Sequence, residues 1–266
     1  MLPDCHTHSR FSGDSEENPE IMIKSAIKNN MKYFCFTDHL DLDYPENDVD
    51  FNLDVDTYYP YIHHLKESYS DKIDIGIGVE CGLEPHLSAR LNDIITKYPF
   101  DYIIGSSHIV NGKDPYYKSY FENRTNKEAY IEYFEYILRC LETCSNFDVY
   151  GHLDYVIRYT PYKDDAFSYF DYSDIIDEIL NKLISSGKGI EVNTGGYLNG
   201  LSQPNPCEDI IRRYNELGGE ILTIGSDAHK ATIIGSNFDK AGTLISKCGF
   251  KYITIFKKRC PEFIKL

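Results

Sequence analysis

Short apolar runs begin near residues 2, 33, 73, 101, 147, 188 and 220, and the segments between them carry apolar positions at helical spacing. Residues 172–184 place Tyr172, Ile175, Ile176, Ile179, Leu180, Leu183 and Ile184 on one face. Residues 130–144 repeat the pattern with Tyr130, Ile131, Phe134, Ile137, Leu138, Leu141 and Cys144. Asn18-Pro19-Glu20 predicts a helix start, with a capping side chain, a preset first φ and an acid at the positive end of the helix dipole. Gly218-Gly219 predicts the end of a helix carrying Ile210, Ile211, Tyr214 and Leu217. Strand alternating with helix predicts an α/β fold with a parallel sheet. No linker or internal repeat interrupts the alternation, so one domain over residues 1–266 is expected. A last run, Tyr252–Phe256, ends in Lys257-Lys258-Arg259 and reads either as an eighth barrel strand or as an added edge.

Six of the nine histidines stand at or just past the end of such a run: His6, His8, His39, His108, His152 and His229. Parallel barrels gather their chemistry at the carboxyl ends of successive strands, so this placement points to one shared site. His6 and His8, at i and i+2 on extended backbone, face the same way and can reach one ion. Asp227 and His229 repeat that spacing with mixed oxygen and nitrogen donors, and Glu80 ends the run Ile75–Val79. Each motif is weak alone; their concurrence predicts a multinuclear metal site. His63 and His64 fall on an amphipathic helical segment and His86 follows Pro85 in a loop, so surface or boundary roles are expected for these three. The acidic segment 40–56, the tyrosine-rich segment 110–125 and the Gly/Pro-rich segment 195–206 each follow a strand ending in a candidate residue, and are expected to rim the same mouth.

The formal charge of −15 argues against nucleic acid or an anionic membrane as partner. It allows a small phosphorylated substrate, because bound divalent ions reverse the local sign. No apolar run approaches the ~18 residues of a membrane span, and the amino terminus lacks the basic flank and apolar stretch of a signal peptide, so a cytoplasmic protein is expected. The eight cysteines include no Cys-x-x-Cys pair and are expected to be reduced and mostly buried. For Cys140 and Cys144, one helical turn apart, a packed helix face is preferred over metal binding.

The motifs His6-Thr7-His8, Asp38-His39, Glu80, Ser107-His108, Gly151-His152 and Ser226-Asp227-Ala228-His229 follow in order the signature of the PHP (polymerase and histidinol phosphatase) superfamily, which this chain resembles. The segments His6–Asp14, Gly151–Tyr159, Glu191–Thr194 and Phe256–Pro261 are similar to its histidinol-phosphate phosphatase branch. The resemblance implies a distorted TIM-like (β/α)7 barrel with a trinuclear centre at its carboxyl face. It implies a first metal on His6, His8, Glu80 and Asp227, with Glu80 bridging to a second on His108 and His152, and a third on Asp14, His39 and His229. Many superfamily members have histidine where this chain has Asp14. An oxygen there hardens the third site and favours Mn or Fe over Zn; the alternative for Asp14 is a turn residue after Gly13. Two to three divalent ions (Zn, Mn or Fe) are thus expected.

The implied activity is phosphomonoester hydrolysis, with L-histidinol phosphate of histidine biosynthesis as substrate. Divalent ions suit it, because they acidify bound water and polarise phosphate oxygens. Arg158, six residues after His152, is the first candidate for the phosphate, since a guanidinium matches it bidentately; the alternative is a surface ion pair. Arg10 is the second, and Asn193, at the end of the sixth strand, is either a donor to substrate or a backbone cap. Asp227 or a metal-bound water is the candidate source of the leaving alcohol's proton. The alternatives are another PHP phosphoesterase, acting on nucleotides or nucleic-acid ends, and a non-catalytic metal-binding module.

Overall fold

The computed structural model describes residues 1–46, 49–161 and 167–266. Its main sheet is built from β1 (Tyr33–Phe36), β2 (His39–Leu40), β3 (Asp74–Gly82), β4 (Tyr102–Ser106), β5 (Val149–Tyr150), β6 (Gly189–Asn193) and β7 (Leu222–Gly225). All pairings in it are parallel, in the order β1-β3-β4-β5-β6-β7. β1 and β2 pair with β3 in one continuous register, Phe36 with Ile77 and His39 with Glu80, so they are two halves of one stave broken at Thr37 and Asp38.

The run near residue 2 closes the curve. It forms two isolated parallel bridges, Asp4 to Phe34 and Thr7 to Ala228, in place of a full ladder. On one side Cys35 N–H donates to Asp4 O and Thr37 N–H to Thr7 O, each at 2.9 Å. On the other, Cys5 N–H donates to Ile224 O and His8 N–H to Ala228 O, each at 2.9 Å. The segment is therefore the seventh stave of a distorted barrel. Its strands are buried along nearly their whole length, as expected where helices cover the outside.

The helices are α1 (Pro19–Lys28), α2 (Val55–Ser68), α3 (Ser88–Ile95), α4 (Asn126–Thr143), α5 (Ser173–Ser185), α6 (Gly195–Leu198), α7 (Glu208–Glu216) and α8 (Phe238–Lys247). Asn18 caps α1 by accepting from Glu20 N–H at 2.8 Å, and Thr125 and Glu128 cap α4 reciprocally. Gly218 follows α7 at φ 90°, a conformation that only glycine adopts without strain. His63 and His64 lie on the exposed face of α2, and His86 is exposed in the turn before α3. Cys140 and Cys144 are buried against the carbonyls of Leu83 and Glu84, and no disulfide forms among the described residues.

The last apolar run is neither of the two expected alternatives. β8 (Tyr252–Lys257) turns back on β9 (Cys260–Lys265) as an antiparallel hairpin. Thr254 Oγ1 accepts from Leu222 N–H at 3.2 Å, and Phe256 O accepts from Tyr33 O–H at 2.8 Å. Ile255 and Phe256 pack with Cys5, Tyr33, Cys35, Tyr102, Ile104 and Val149. These contacts lie where the strands begin, so the hairpin plugs the amino end of the barrel and leaves the carboxyl end open. Among the described residues no helix is long and apolar enough to cross a membrane.

Candidate metal centre

The barrel brings the nine predicted donors to its carboxyl end. His6, His8 and Glu80 are fully buried at the floor. Asp14, His39, His108, His152, Asp227 and His229 line a cleft of about 420 Å³ above them.

The floor group is tight. His6 Nε2 lies 2.9 Å from His8 Nε2 and 3.2 Å from Glu80 Oε2. His8 Nε2 lies 3.5 Å from Glu80 Oε2 and 3.3 Å from Asp227 Oδ1. The other Glu80 oxygen, Oε1, faces a second pair, His152 Nε2 at 2.9 Å and His108 Nε2 at 3.3 Å. Toward the mouth, His229 Nε2 is 2.9 Å and His39 Nε2 3.8 Å from Asp14 Oδ2. Glu80 thus divides its two oxygens between two imidazole groups, and a third group opens toward solvent.

Hydrogen bonds behind the rings decide which nitrogens face inward. Ser12 O–H donates to Asp38 at 2.9 Å, so its oxygen is left to accept from His8 Nδ1 at 3.0 Å. His6 Nδ1 meets Glu191 Oε1 and His108 Nδ1 meets Asp41 Oδ1, both at 2.6 Å; His229 Nδ1 meets Asp227 O at 3.0 Å. Each acceptor draws the ring proton to Nδ1 and leaves the Nε2 lone pair pointing into the centre. Lone pairs of His6 and His8 at 2.9 Å then face each other and two carboxylates with no donor between them. Among the buried polar atoms without a hydrogen-bond partner are Glu80 Oε2, His39 Nδ1, His229 Nε2 and Asp41 Oδ2. A set of buried acceptors facing one another is stable around cations, and imidazole mixed with carboxylate is a donor set for Zn, Mn or Fe. The residues fit divalent ions.

Charge tells the same story. Burial opposes ionisation of Glu80 and Asp227, yet positive charge on the His6 ring beside both holds their carboxyls well below the usual range. Against its own burial, Glu191, Glu80 and Asp227 raise His6 in turn, so the cluster draws a cation, proton or metal ion, to this point. Burial, with His39 and His229 alongside, pushes His8 down to about 3, which keeps its ring neutral and open to a metal. His152 and Asp227 also have positive φ, 22° and 57°. Left-handed backbone is uncommon outside glycine.

Arg158 lies beside this centre, its side chain 3% exposed. Its Nε donates to Asn205 Oδ1 at 2.7 Å, Nη2 to Asn193 Oδ1 at 2.8 Å and Nη1 to Asp227 Oδ2 at 3.1 Å. It is the single cationic side chain of lysine or arginine type lining the cleft among the described residues. Arg10 departs from expectation: it is exposed, with its guanidinium 5.0 Å from the ring centroid of Tyr61 on α2, and it does not line the cleft. Stacking on an aromatic face draws it outward. Asn193 takes the second of its two expected roles: its Oδ1 accepts from Gly195 N–H at 2.9 Å and from Arg158, and its Nδ2 donates to Glu191 and Asp227. It orients its neighbours and is not a free donor.

Of the three predicted rims, Tyr44, Val49, Phe51, Asp114, Tyr116, Tyr117, Leu198 and Asn199 line the cleft; residues 47 and 48 of the acidic segment lie outside the described residues. Asp41, Asp114, Glu191, Asp154 and Asn205 fall within the segments that the sequence singles out, but no motif names them individually as site residues. Two had a legible signal, since Asp41 stands two residues after His39 and Glu191 two before Asn193, the spacing that shares a face on extended backbone. Asp154 holds Asn205 at 2.6 Å from across the chain, and no local pattern announces such a pair.

A family model described as "PHP domain" matches residues 4–195. The chain is 36% identical over 256 residues to the histidinol-phosphatase of Lactococcus lactis, covering 95% of this chain and 93% of that protein. It is 35% identical over 266 residues to the probable histidinol-phosphatase of Clostridium acetobutylicum, covering 99% and 100%. The crystal structure of histidinol phosphate phosphatase from Lactococcus lactis, complexed with zinc, L-histidinol and phosphate, aligns with a TM-score of 0.89 at 33% identity over 98% of each chain. A Listeria monocytogenes structure shares the fold, with a TM-score of 0.77 at 19% identity over 90% of this chain and 99% of that one.

Proposed function

The chain belongs to the PHP domain family, and from that membership and the geometry of the cleft we propose that it hydrolyses L-histidinol phosphate to L-histidinol and phosphate. The observation that carries the proposal is Glu80 dividing its oxygens between two imidazole groups in a cleft that also presents Arg158. The relative whose crystal structure holds zinc, L-histidinol and phosphate aligns over 98% of this chain, with the same barrel.

His6, His8, Glu80 and Asp227 would hold one ion, Glu80, His108 and His152 a second, and Asp14, His39 and His229 a third. When bound, such ions supply positive charge to the phosphate and acidify water for attack on phosphorus. The side chains do the rest. Arg158 has five N–H donors and spends three on Asn205, Asn193 and Asp227, leaving one on each terminal nitrogen for two phosphate oxygens. Asp227 is held ionised and anchored at Oδ2 by Arg158, which suits it to an ion; the departing histidinol oxygen would take up the proton given up by the attacking water, passed by Asp227 or by a second water. Tyr155, packed 5.1 Å from the His152 ring and 5.6 Å from the His108 ring, shields that wall from water.

The test is phosphate release by metal-reconstituted protein offered L-histidinol phosphate, nucleoside monophosphates and single-stranded DNA. Histidinol phosphate should be preferred by at least tenfold in kcat/KM, and Glu80→Ala or His8→Ala should lose activity together with bound metal. Preference for DNA or nucleotides, or full activity and metal content in either variant, would overturn the reading.

A further inference from the structure

Glu191 is a fully buried carboxylate on β6 that the reaction itself does not call for. Its Oε1 lies 2.6 Å from His6 Nδ1. Its Oε2 accepts from His152 N–H at 3.0 Å and from Asn193 Nδ2 at 3.1 Å. One side chain therefore reaches the first stave, the fifth and its own, and touches a donor of each of the two groups that share Glu80.

The barrel is cut to admit it. A Cβ on Gly225 would fall 2.4 Å from Glu191 Oε1 and 2.3 Å from His6 Cβ, closer than any side chain tolerates. A Cβ on Gly151 would fall 2.4 Å from Ser106 Oγ, whose hydroxyl donates to Glu80 Oε1 at 2.7 Å. Two strand-end glycines thus clear a slot in which this carboxylate and the serine hydroxyl meet the candidate ligands. All three groups facing Glu191 are donors, and a carboxylate has enough lone pairs to accept from all of them.

We infer that Glu191 is a positioning residue that sets the His6 ring through Nδ1 and the His152 backbone through its amide, and so fixes the spacing of the two ion groups. The left-handed φ of 22° at His152 is the conformation this amide contact holds in place. The inference rests on the metal-centre reading proposed above.

Full-length wild type, Glu191→Ala and Glu191→Gln are prepared metal-free, and Zn and Mn binding is measured by calorimetry and elemental analysis alongside thermal melting of the apo proteins. Glu191→Ala should bind both metals about 10- to 100-fold more weakly, the range for loss of a partner behind a ligating histidine. Glu191→Gln spans the same distance but turns one donor toward another donor, so its affinity should lie between. A purely structural role would lower the apo melting temperature and leave both affinities at the wild-type value, which would overturn the inference. If Glu191→Ala does not fold, wild-type affinity in Glu191→Gln overturns it equally. A wild type that binds no ion overturns the metal reading, and this inference with it.

Discussion

Arg158 shows what tertiary context makes of one side chain. On the surface a guanidinium paired with a carboxylate contributes little. Here three acceptors hold it with its side chain 3% exposed, so its orientation is set before substrate arrives. A lysine would carry the charge but has one nitrogen, and cannot keep Asn205, Asn193 and Asp227 while offering two parallel donors. Arg158→Lys should therefore lower kcat/KM for the phosphomonoester by about 10- to 100-fold, the equivalent of a lost charged hydrogen bond of roughly 1.5–3 kcal/mol. Most of the change should appear in KM, with metal content unchanged. Steady-state kinetics within twofold of wild type would remove Arg158 from the phosphate site. Arg10 carries the same charge beside the first motif, yet the Tyr61 ring holds it outside the cleft. The sequence places Arg158 ahead of Arg10 for the phosphate, and the fold keeps that order by holding one guanidinium in the cleft and the other outside it.

At the scale of elements, the carboxyl ends carry the chemistry and the β8–β9 hairpin supports it from the other end. Phe256 is buried and stacks on Tyr102 with ring centroids 5.1 Å apart. The tight turn of the hairpin is clasped by two acids at strand starts: Arg259 Nε donates to Asp148 Oδ2 at 2.6 Å, and Lys258 N–H to Asp101 Oδ1 at 3.1 Å. The same acids bind the neighbouring staves, Asp148 accepting from Ile103 N–H at 2.8 Å and Asp101 from Ile77 N–H at 3.0 Å. Phe256→Ala should cost about 3–5 kcal/mol of stability while leaving kcat of the folded enzyme near wild type, as read by urea unfolding and by assay well below the midpoint. A loss under about 1 kcal/mol would mean that the plug is not part of the barrel core. Apolar runs and helix signals predicted the barrel elements because each depends on neighbours a few residues away. The same information left the hairpin ambiguous, because a buried strand looks alike whether its partner is parallel or antiparallel.

For the whole molecule, the decisive quantity is negative charge concentrated at one end of a chain already at −15. Asp14, Asp41, Asp114 and Asp227 line the cleft with Arg158 as the lone guanidinium among the described residues, and Glu80 lies beneath. Ions that bind this cluster stabilise the fold by mass action, by about 2.7 kcal/mol at a hundredfold excess over Kd. For a chain of this size that is a rise of roughly 5–10 °C in Tm. Chelation should remove that increment together with phosphatase activity, and added Zn or Mn should restore both. Ligand imidazoles must be neutral to bind. Burial opposes protonation of His6, His39 and His108, yet the carboxylates beside them raise all three, His108 to about 10. Protons should therefore compete with the metal, and affinity should fall as pH is lowered from about 10 through neutrality. Chelated protein with no residual metal that melts unchanged and turns over at full rate would contradict this account.

Asp14 and the closed barrel are implied by the family resemblance alone; the sequence by itself determined the parallel α/β class and the other eight donors at the ends of its apolar runs. All of these are written in local signals: an apolar run, a helical face, a histidine or acid at the run's end, and spacing of two on extended backbone. Only the tertiary structure decided how those donors are supported. Glu191 reaches His6 across 185 residues and Arg158 reaches Asp227 across 69. Gly225 and Gly151 matter for what they leave room for. Such relations depend on which staves become neighbours when the barrel closes, and no stretch of chain contains that information alone.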